Sequence, residues 1–579
     1  MFSAFQTFGR LGASASAAPF SPTKLFPAGA SSPGLWIDPS YPASEFQDSA
    51  GTTALSTVGT VLDSSNPVGL VLDTKNGTPV LGPELVTNGD FSNGTTGWSV
   101  YGATLSVASG ECSVTNNGIN YGQVYRAIAT VIGKTYRISA TVRAVNVGYV
   151  SLRAETVLTV GNLCDQKTSS ATNVTLTGVF VAVGTSTIIG CANTHTNNGV
   201  GVFDNISVRE IPGIHLSQST SAARPVASAR VNLLTYSDAL DTANWNKTGC
   251  TVSINSATSP SAAPGAVVFK VAEDASNGQH YFGSATTLNS VLGDNMPVVY
   301  QAYIKSDEYS TASFSMRRKD SSFLRVDFDL VAMTATPDAS STATITDAGG
   351  GWRLCRAVTD SKAGAGYVVP ALAPKTIDSG QGVAGSGVLV CGFQVATLAC
   401  NYQRVGAASD YTATGFPVYL KFDGTDDGLA SATFSAGTLT SSMDCLIALR
   451  RDSADMAIVG LYTAQGSGNW FGLVLAGDGG VCFCGVGSPT VFVDGAQLTG
   501  GTSVTCGTLH TALTVGAWHI MEFRGMDMSA WTATLAGNYG VGYSLNGALG
   551  GIKLFASGQD ANRDKARARM AAYFGVTLP

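Results

Sequence analysis

Tyr419-Leu420-Lys421-Phe422-Asp423-Gly424-Thr425-Asp426-Asp427-Gly428-Leu429-Ala430 is the stretch from which the rest of this 579-residue chain is read. Leu420 and Phe422 alternate with their neighbours in the period-2 pattern of a strand that buries one face. The run then meets Asp423-Gly424 and Asp427-Gly428, two turn signals, before Leu429 resumes an apolar stretch. This spacing predicts a tight strand–turn–strand unit. Asp423, Asp426 and Asp427 are also the one tight acidic group in the sequence. Three uses are open to them: a turn, a calcium loop or a catalytic pair.

Composition narrows the class. Glycine is abundant (68 residues) and only 12% of residues are charged. Low charge with many Gly, Ser and Thr argues against a disordered polyelectrolyte and for all-β modules joined by tight turns. The net charge of −6 and the lack of a Lys/Arg cluster argue against a nucleic-acid partner. No run of about twenty apolar residues marks a membrane span, and the N-terminus lacks the basic and apolar regions of a secretory signal. Eleven cysteines are scattered without disulfide or metal spacing, as in a chain folded in a reducing cytoplasm. Cys482-Phe483-Cys484 is the exception. On a strand its two thiols would share a face, as core filler or half of a zinc site.

Outward from the opening stretch, strands are legible at Asp444–Arg450, Ala457–Tyr462, Trp470–Leu475 and Trp518–Arg524. In Asp560–Phe574, Ala561, Ala566, Met570 and Phe574 mix with Arg563, Lys565, Arg567 and Arg569, which reads as an amphipathic helix with Gly575 as a stop signal. Toward the N-terminus, the pattern breaks twice. Glu84-Leu85-Val86-Thr87-Asn88-Gly89-Asp90-Phe91 leads to Gly97-Trp98, and Asn232-Leu233-Leu234-Thr235-Tyr236-Ser237 leads to Asn244-Trp245. Phe203-Asp204-Asn205-Ile206 and Phe393-Gln394-Val395 parallel each other near the two ends. These pairs form a weak internal repeat of two β modules. Residues 1–33 are different again. Phe2, Phe5, Phe8 and Leu11 recur at helical spacing on a Pro-rich arm, which either docks on a partner or packs on its own domain.

The Tyr419–Ala430 stretch resembles a strand of the concanavalin-like (laminin-G type) sandwiches of phage and bacterial surface proteins. Its companions in that group are also present: Gly34-Leu35-Trp36-Ile37-Asp38, Phe46–Thr53, Pro67–Asp73 and His215–Pro225. Here they stand far apart. Residues 84–211 resemble the jelly-roll carbohydrate-binding modules appended to glycosidases, and Tyr402-Gln403-Arg404 resembles a run of phage tail and fibre proteins. The implied fold is all-β: a concanavalin-like sandwich (34–83, 212–231 and 412–579) interrupted by jelly rolls at 84–211 and 232–411, with an extended N-terminal arm (1–33) and a short C-terminal helix. Inserting a module into a surface loop is tolerated when its ends lie close together.

The resemblance implies a bacteriophage virion component (fibre, spike or decoration) assembled in the host cytoplasm. Its arm would dock on other virion proteins, and its modules would face host surface polysaccharide. Homo-oligomers are implied, with a trimer favoured, and weak sites would gain strength through avidity. Sugars are held by aromatic faces and amide hydrogen bonds. In the first module Tyr101, Tyr121, Tyr125 and Tyr149 with Asn116, Asn117 and Asn120 are the candidates; the alternative is that they only fill strands and loops. Trp98 and Trp245 are expected in the core. No cofactor is required, but the resemblance places a structural calcium between the opening and closing strands, where Asp90 and Asp204 stand. The second copy has Ser237 and Gln394 there instead.

An enzyme is not expected. Glutamates are few, and none forms the spaced carboxylate strand that a glycosidase on this sandwich needs. The histidines (195, 215, 280, 510, 519) are isolated, and no nucleophile elbow or phosphate loop occurs in context. Alternatives are a capsule-degrading depolymerase and a purely structural cementing protein.

Overall fold

The computed structural model describes residues 24–29, 32–40, 44–55, 67–75, 81–118, 121–194, 198–288, 292, 295–376, 380–397, 399–407, 416–434, 436–453, 457–458, 461–462, 469–474, 479–498, 504–533, 535–537 and 544–579. Within them the chain is all-β apart from two α-helices and short turns. This is the fold class that composition and alternation predict.

Tyr419–Asp423 lies between Val226–Ser228 and Asn546–Ala556 in an eight-stranded sheet that continues through Met443–Arg451, Trp518–Met526, Thr490–Val493 and Ala496–Gln497. Leu420 and Phe422 enter one core with Leu35, Val71, Leu216, Met521 and Trp531. Tyr419, on the alternate face, packs with Trp36, Trp518 and the C-terminal helix. Asn546–Ala556 is long enough to take two partners on one side. Its first half pairs with Leu420–Asp423 and its second half with Gly34–Ile37. The opposite sheet is built from Glu45–Phe46, Leu70–Val71, Leu216–Ser217, Leu429–Ser431, Leu535–Ala536, Leu461–Tyr462, Trp470–Phe471 and Phe483–Cys484. Three distant stretches of chain thus share one sandwich.

Several expectations need correction. Tyr419–Asp423 and Leu429–Ser431 belong to opposite sheets, so the Asp-Gly turns carry the chain across the sandwich instead of closing a hairpin. Phe422 and Leu429 both enter the same core, each from its own sheet. Cys482 is buried and Cys484 exposed. The strand there spans only Phe483–Cys484, too short to keep both thiols on one face. Leu25 and Phe26, within the stretch assigned to the arm, are buried against Trp36, Met570 and Phe574. Phe2, Phe5, Phe8 and Leu11 lie outside the described residues. The helix Asp560–Phe574 ends at Gly575 with φ +69, a left-handed cap that glycine adopts without strain.

Between these stretches sit two sandwiches of one design. The first has two five-stranded sheets, the second two six-stranded sheets. In chain order the ten strands of the first match ten of the second, and the sheet orders agree. The second adds Thr334–Pro337 and Thr342–Gly349, one strand at the edge of each sheet, and a separate two-stranded pair, Asn277–Gly278 with Gly380–Gln381. Trp98 and Trp245 are both buried. Their indole N–H groups donate to matching carbonyls, Asn88 O (2.9 Å) and Tyr236 O (3.0 Å). Phe203 and Phe393 occupy the two cores, where burying such a ring contributes roughly 1.5–3 kcal/mol. The glycine of the first opening motif has a steric reason: a Cβ on Gly89 would lie 2.0 Å from Ile206 O on the closing strand.

The runs that interrupt the modules turn out to be joints. Asp73 Oδ1 accepts from Trp36 N (2.9 Å) and Lys75 N (3.0 Å), and its Oδ2 accepts from Ile214 N (3.0 Å). His215 Nδ1 accepts from Asp73 N (2.9 Å), so its proton sits on Nε2, 3.0 Å from Ile211 O. Burial holds His215 below its ordinary pKa. At the second joint Gln403 Oε1 accepts from Val231 N (2.6 Å) and Asn232 N (2.9 Å), and its Nε2 donates to Ala229 O (2.6 Å). Arg224 donates to the carbonyls of Gln47, Gln218 and Ser219, each at 3.0 Å.

Candidate functional site

The outer face of the first module's five-stranded sheet carries the densest polar and aromatic arrangement aimed away from a core. The sheet runs Cys164–Thr168, Val150–Glu155, Ser186–Thr194, Tyr121–Ala129, Ser99–Tyr101. Alternation sends Val124, Ile128, Val150, Leu152, Ala154, Ile189 and Cys191 inward. It leaves Tyr121, Gln123, Tyr125, Ser151, Arg153, Glu155, Gly190 and Ala192 on the outer side. Cross-strand register then sets rows: Tyr101, Gln123, Ala192, Ser151 and Lys167 in one, Ser99, Tyr125, Gly190, Arg153 and Asp165 in the next. Small residues on the central strand make the floor.

The floor is braced. Gln123 Nε2 donates to Glu155 Oε1 (2.6 Å), whose Oε2 accepts from Gly161 N (2.8 Å). A Cβ at residue 190 would lie 2.0 Å from Gln123 Nε2, so the brace requires Gly190. Arg153 stacks over the Tyr121 ring (4.2 Å) and meets Asp165 (3.3 Å). Lys167 lies 3.0 Å from Asp165 and 5.1 Å from the Tyr149 ring. Hydrogen bonding between the two phenols holds Tyr121 below the ordinary tyrosine range and Tyr149 above it. Gln123, Ser151 and Glu155 are fully buried, yet Gln123 Oε1 and Ser151 Oγ have no hydrogen-bond partner. Buried polar atoms without partners are costly and uncommon in native proteins.

Of the sequence candidates, Tyr101, Tyr121 and Tyr125 come together on this face, with Tyr149 beside Tyr121. Asn117 is exposed at its rim, its N–H donating to Gly102 O (3.0 Å). Asn120 lies outside the described residues. Asn116 is corrected: it is fully buried on the inner side, donating to Asn193 Oδ1 and Thr194 O (both 3.3 Å). Its place on Glu111–Asn116 puts it in phase with the core residues Cys112 and Val114. Gln123, Ser151, Arg153 and Glu155 were not singled out from sequence. The signal was there in the alternation of Tyr121–Ala129 and Val150–Glu155, whose polar members at every second residue leave the core.

The remaining candidates are occupied locally. Asp90 Oδ1 accepts from Ser92 N (3.2 Å) and Oγ (3.0 Å), while Asp204 accepts from Asn205 N (2.6 Å) and Nδ2 (2.9 Å). Burial, with Glu111 and Asp90 nearby, raises the Asp204 pKa. A calcium takes six to eight oxygens, so this pair could supply only part of a shell. His519 bridges Asp494 Oδ2 (2.7 Å) and Thr514 Oγ1 (2.9 Å), tying two loops together.

Asp423, Asp426 and Asp427 have carboxylate oxygens within 4.8 Å of one another, the one such acidic group of three among the described residues. Asp423 Oδ1 accepts from Thr425 N (2.7 Å) and Asp427 Oδ2 from Asp423 N (2.9 Å), which is turn-forming geometry. Burial, with the charges of Asp423 and Asp426, pushes Asp427 up to about 7. The native state therefore holds a proton that the unfolded chain releases near 4, and stability falls as pH rises between those values. Asp427→Asn keeps an oxygen for Asp423 N–H and removes the charge. It is expected to melt above the wild type at pH 8 and with it at pH 4; calorimetric curves that stay parallel across that range would refute the assignment.

No described helix is long and apolar enough to cross a membrane. None of the eleven cysteines forms a disulfide. No protein-family model and no curated protein matches the chain. Among solved structures, the chain is similar to the tandem CBM22-1–CBM22-2 domains of Paenibacillus barcinonensis Xyn10C, at 13% identity over 54% of this chain and 98% of that one (TM-score 0.26). It is similar to the xylan-binding CBM22-1 domain of the same enzyme at 16% identity, over 23% of this chain and 97% of that one (TM-score 0.20). A CBM4 structure aligns at 19% identity over 22% of this chain and 94% of that one (TM-score 0.18).

Proposed function

We propose that the first inserted sandwich binds a saccharide on the outer face of its five-stranded sheet, and that the chain is a non-enzymatic adhesion component of a phage particle. The observation that carries the binding reading is the aromatic group Tyr101, Tyr121 and Tyr125, exposed or half-buried on one face, with the exposed Lys167 at the far end of the Tyr101 row. A saccharide's apolar ring faces stack on these rings, and its hydroxyls reach the exposed Lys167 and Asn117 around them. The virion reading is supported by the sequence runs that serve as joints, Phe46–Thr53, Ala222–Pro225, Asn232–Ser237 and Tyr402–Arg404, taken in their order along the chain. Host surface polysaccharide is the ligand this reading names, and other virion proteins are its partners through the arm.

The test is an array of bacterial surface polysaccharides probed with the full chain. Binding is expected, with Tyr101→Ala and Tyr121→Ala each weakening it roughly tenfold while circular dichroism is unchanged. Absence of binding to every glycan would overturn the reading. New reducing ends released from a bound polysaccharide would replace adhesion with depolymerisation.

A further inference from the structure

Of the two edge strands that the second module adds to its sheets, one leaves an open sheet edge. Thr342–Gly349 pairs with Trp352–Asp360 on one side only and ends its six-stranded sheet. Open edges present unpaired N–H and C=O groups, and natural proteins usually blunt them with lysine, proline, a mid-strand bulge or a covering loop. Among the described residues one other edge strand is as long, Val174–Val181 of the first module. That edge is covered, because Ala50 O accepts from Val179 N (2.5 Å). The other added strand, Thr334–Pro337, ends the facing sheet, pairs with Phe323–Asp329 and carries Pro337. Thr342–Gly349 has no lysine, proline or bulge from Thr342 to Thr346; its one charge, Asp347, and its irregularity, between Asp347 and Gly349, come only at its end. Thr342, Thr344 and Thr346 are exposed. Ala343 and Ile345 point toward the module's core and remain only half-buried there.

We propose that this edge pairs antiparallel with the same edge of a second copy of the chain, about a two-fold axis at Ile345. Residues opposite each other in an antiparallel pair share a face, so the core-facing residues of the two copies must meet. The register centred on Ile345 does this: Ile345 faces Ile345, Thr344 faces Thr346, and Ala343 faces Asp347 of the second copy. Asp347 is the strand's one charged residue, already paired with its own Arg353. In this register it meets alanine, so no like charges oppose. The half-buried Ala343 and Ile345 of each copy then complete one another's cover, and two six-stranded sheets become one. The interface is isologous, the self-complementary kind that closes a dimer. It is distinct from the three-fold assembly that the fibre resemblance implies.

Light scattering on the full chain at micromolar concentration is expected to give twice the chain mass. T344K/T346K sets lysine against lysine at both off-axis positions and is expected to yield monomer with an unchanged melting temperature. T344K/T346E sets lysine against glutamate in the same register and is expected to restore the dimer. A monomeric or trimeric wild type, or a T344K/T346K dimer of undiminished mass, would overturn the proposal.

Discussion

Replacing Glu522 with alanine is expected to cost the outer sandwich about 3–5 kcal/mol, the range for removing one partner from a buried ion cluster. Glu522 has no exposed surface and lies on Trp518–Met526 beneath the C-terminal helix. Arg563 Nε stands 2.8 Å from its Oε1, Arg567 Nη1 donates to its Oε2 (2.9 Å), and Arg524 pairs with it from the same strand. Arg563 is itself buried and also reaches Asp444 (3.1 Å). Without the Glu522 carboxylate, three guanidinium groups crowd a site left with Asp444 as its buried acid. Urea unfolding of Glu522→Ala beside Glu522→Gln checks this: the amide keeps the volume and loses the charge, and is expected to fall between. A Glu522→Ala midpoint equal to the wild type would mean that the helix is held by Ala566, Met570 and Phe574 alone.

The second large effect is expected at Asp73. Its carboxylate accepts three backbone N–H groups, from Trp36, Lys75 and Ile214, and sits 3.8 Å from the Lys75 ammonium. Removing a buried acceptor leaves each donor unsatisfied at about 1–3 kcal/mol. Asp73→Ala is therefore expected to destabilise the joint by about 3 kcal/mol or more, with proteolysis appearing near residues 73–81 and 211–215. Asp73→Asn retains one acceptor oxygen and is expected to recover part of the loss. Acid should weaken the same joint. His215 is held neutral below its ordinary pKa, so stability is lost as pH falls below about 6.5, where the unfolded chain takes up the proton first. Wild-type proteolysis rates that do not rise from pH 7 to pH 5 would contradict this.

Much of the architecture could be read from side-chain order. Leu420 and Phe422, and the paired Trp98 and Trp245, behave as their spacing predicts. Of the helix's apolar residues Ala566, Met570 and Phe574 are buried, whereas Ala561 is exposed and Arg563 takes a buried place in the first turns. What could not be read is which faces are covered. Alternation puts Gln123, Ser151 and Glu155 on one side of a sheet but does not say that the side is braced. Arg563 looks like a solvated helix residue until Glu522 and Asp444 are found beneath it. The Asp-Gly turns around residue 425 have the local chemistry of a hairpin, and only the position of the second sheet decides that the chain crosses. Asn116 and Asn117 are neighbours with opposite fates, because one residue of phase separates the core from solvent.

The pairing of Gly34–Ile37 with the second half of Asn546–Ala556 has a bearing on biosynthesis. The first strand of the outer sandwich leaves the ribosome long before its partner exists. At roughly 5–20 residues per second the wait is on the order of 25–100 s. During that time both inserted modules can mature as units, each bringing its ends together and shortening the loop that the outer sheets must close. Translation order thereby makes the guests the scaffold on which their host is completed.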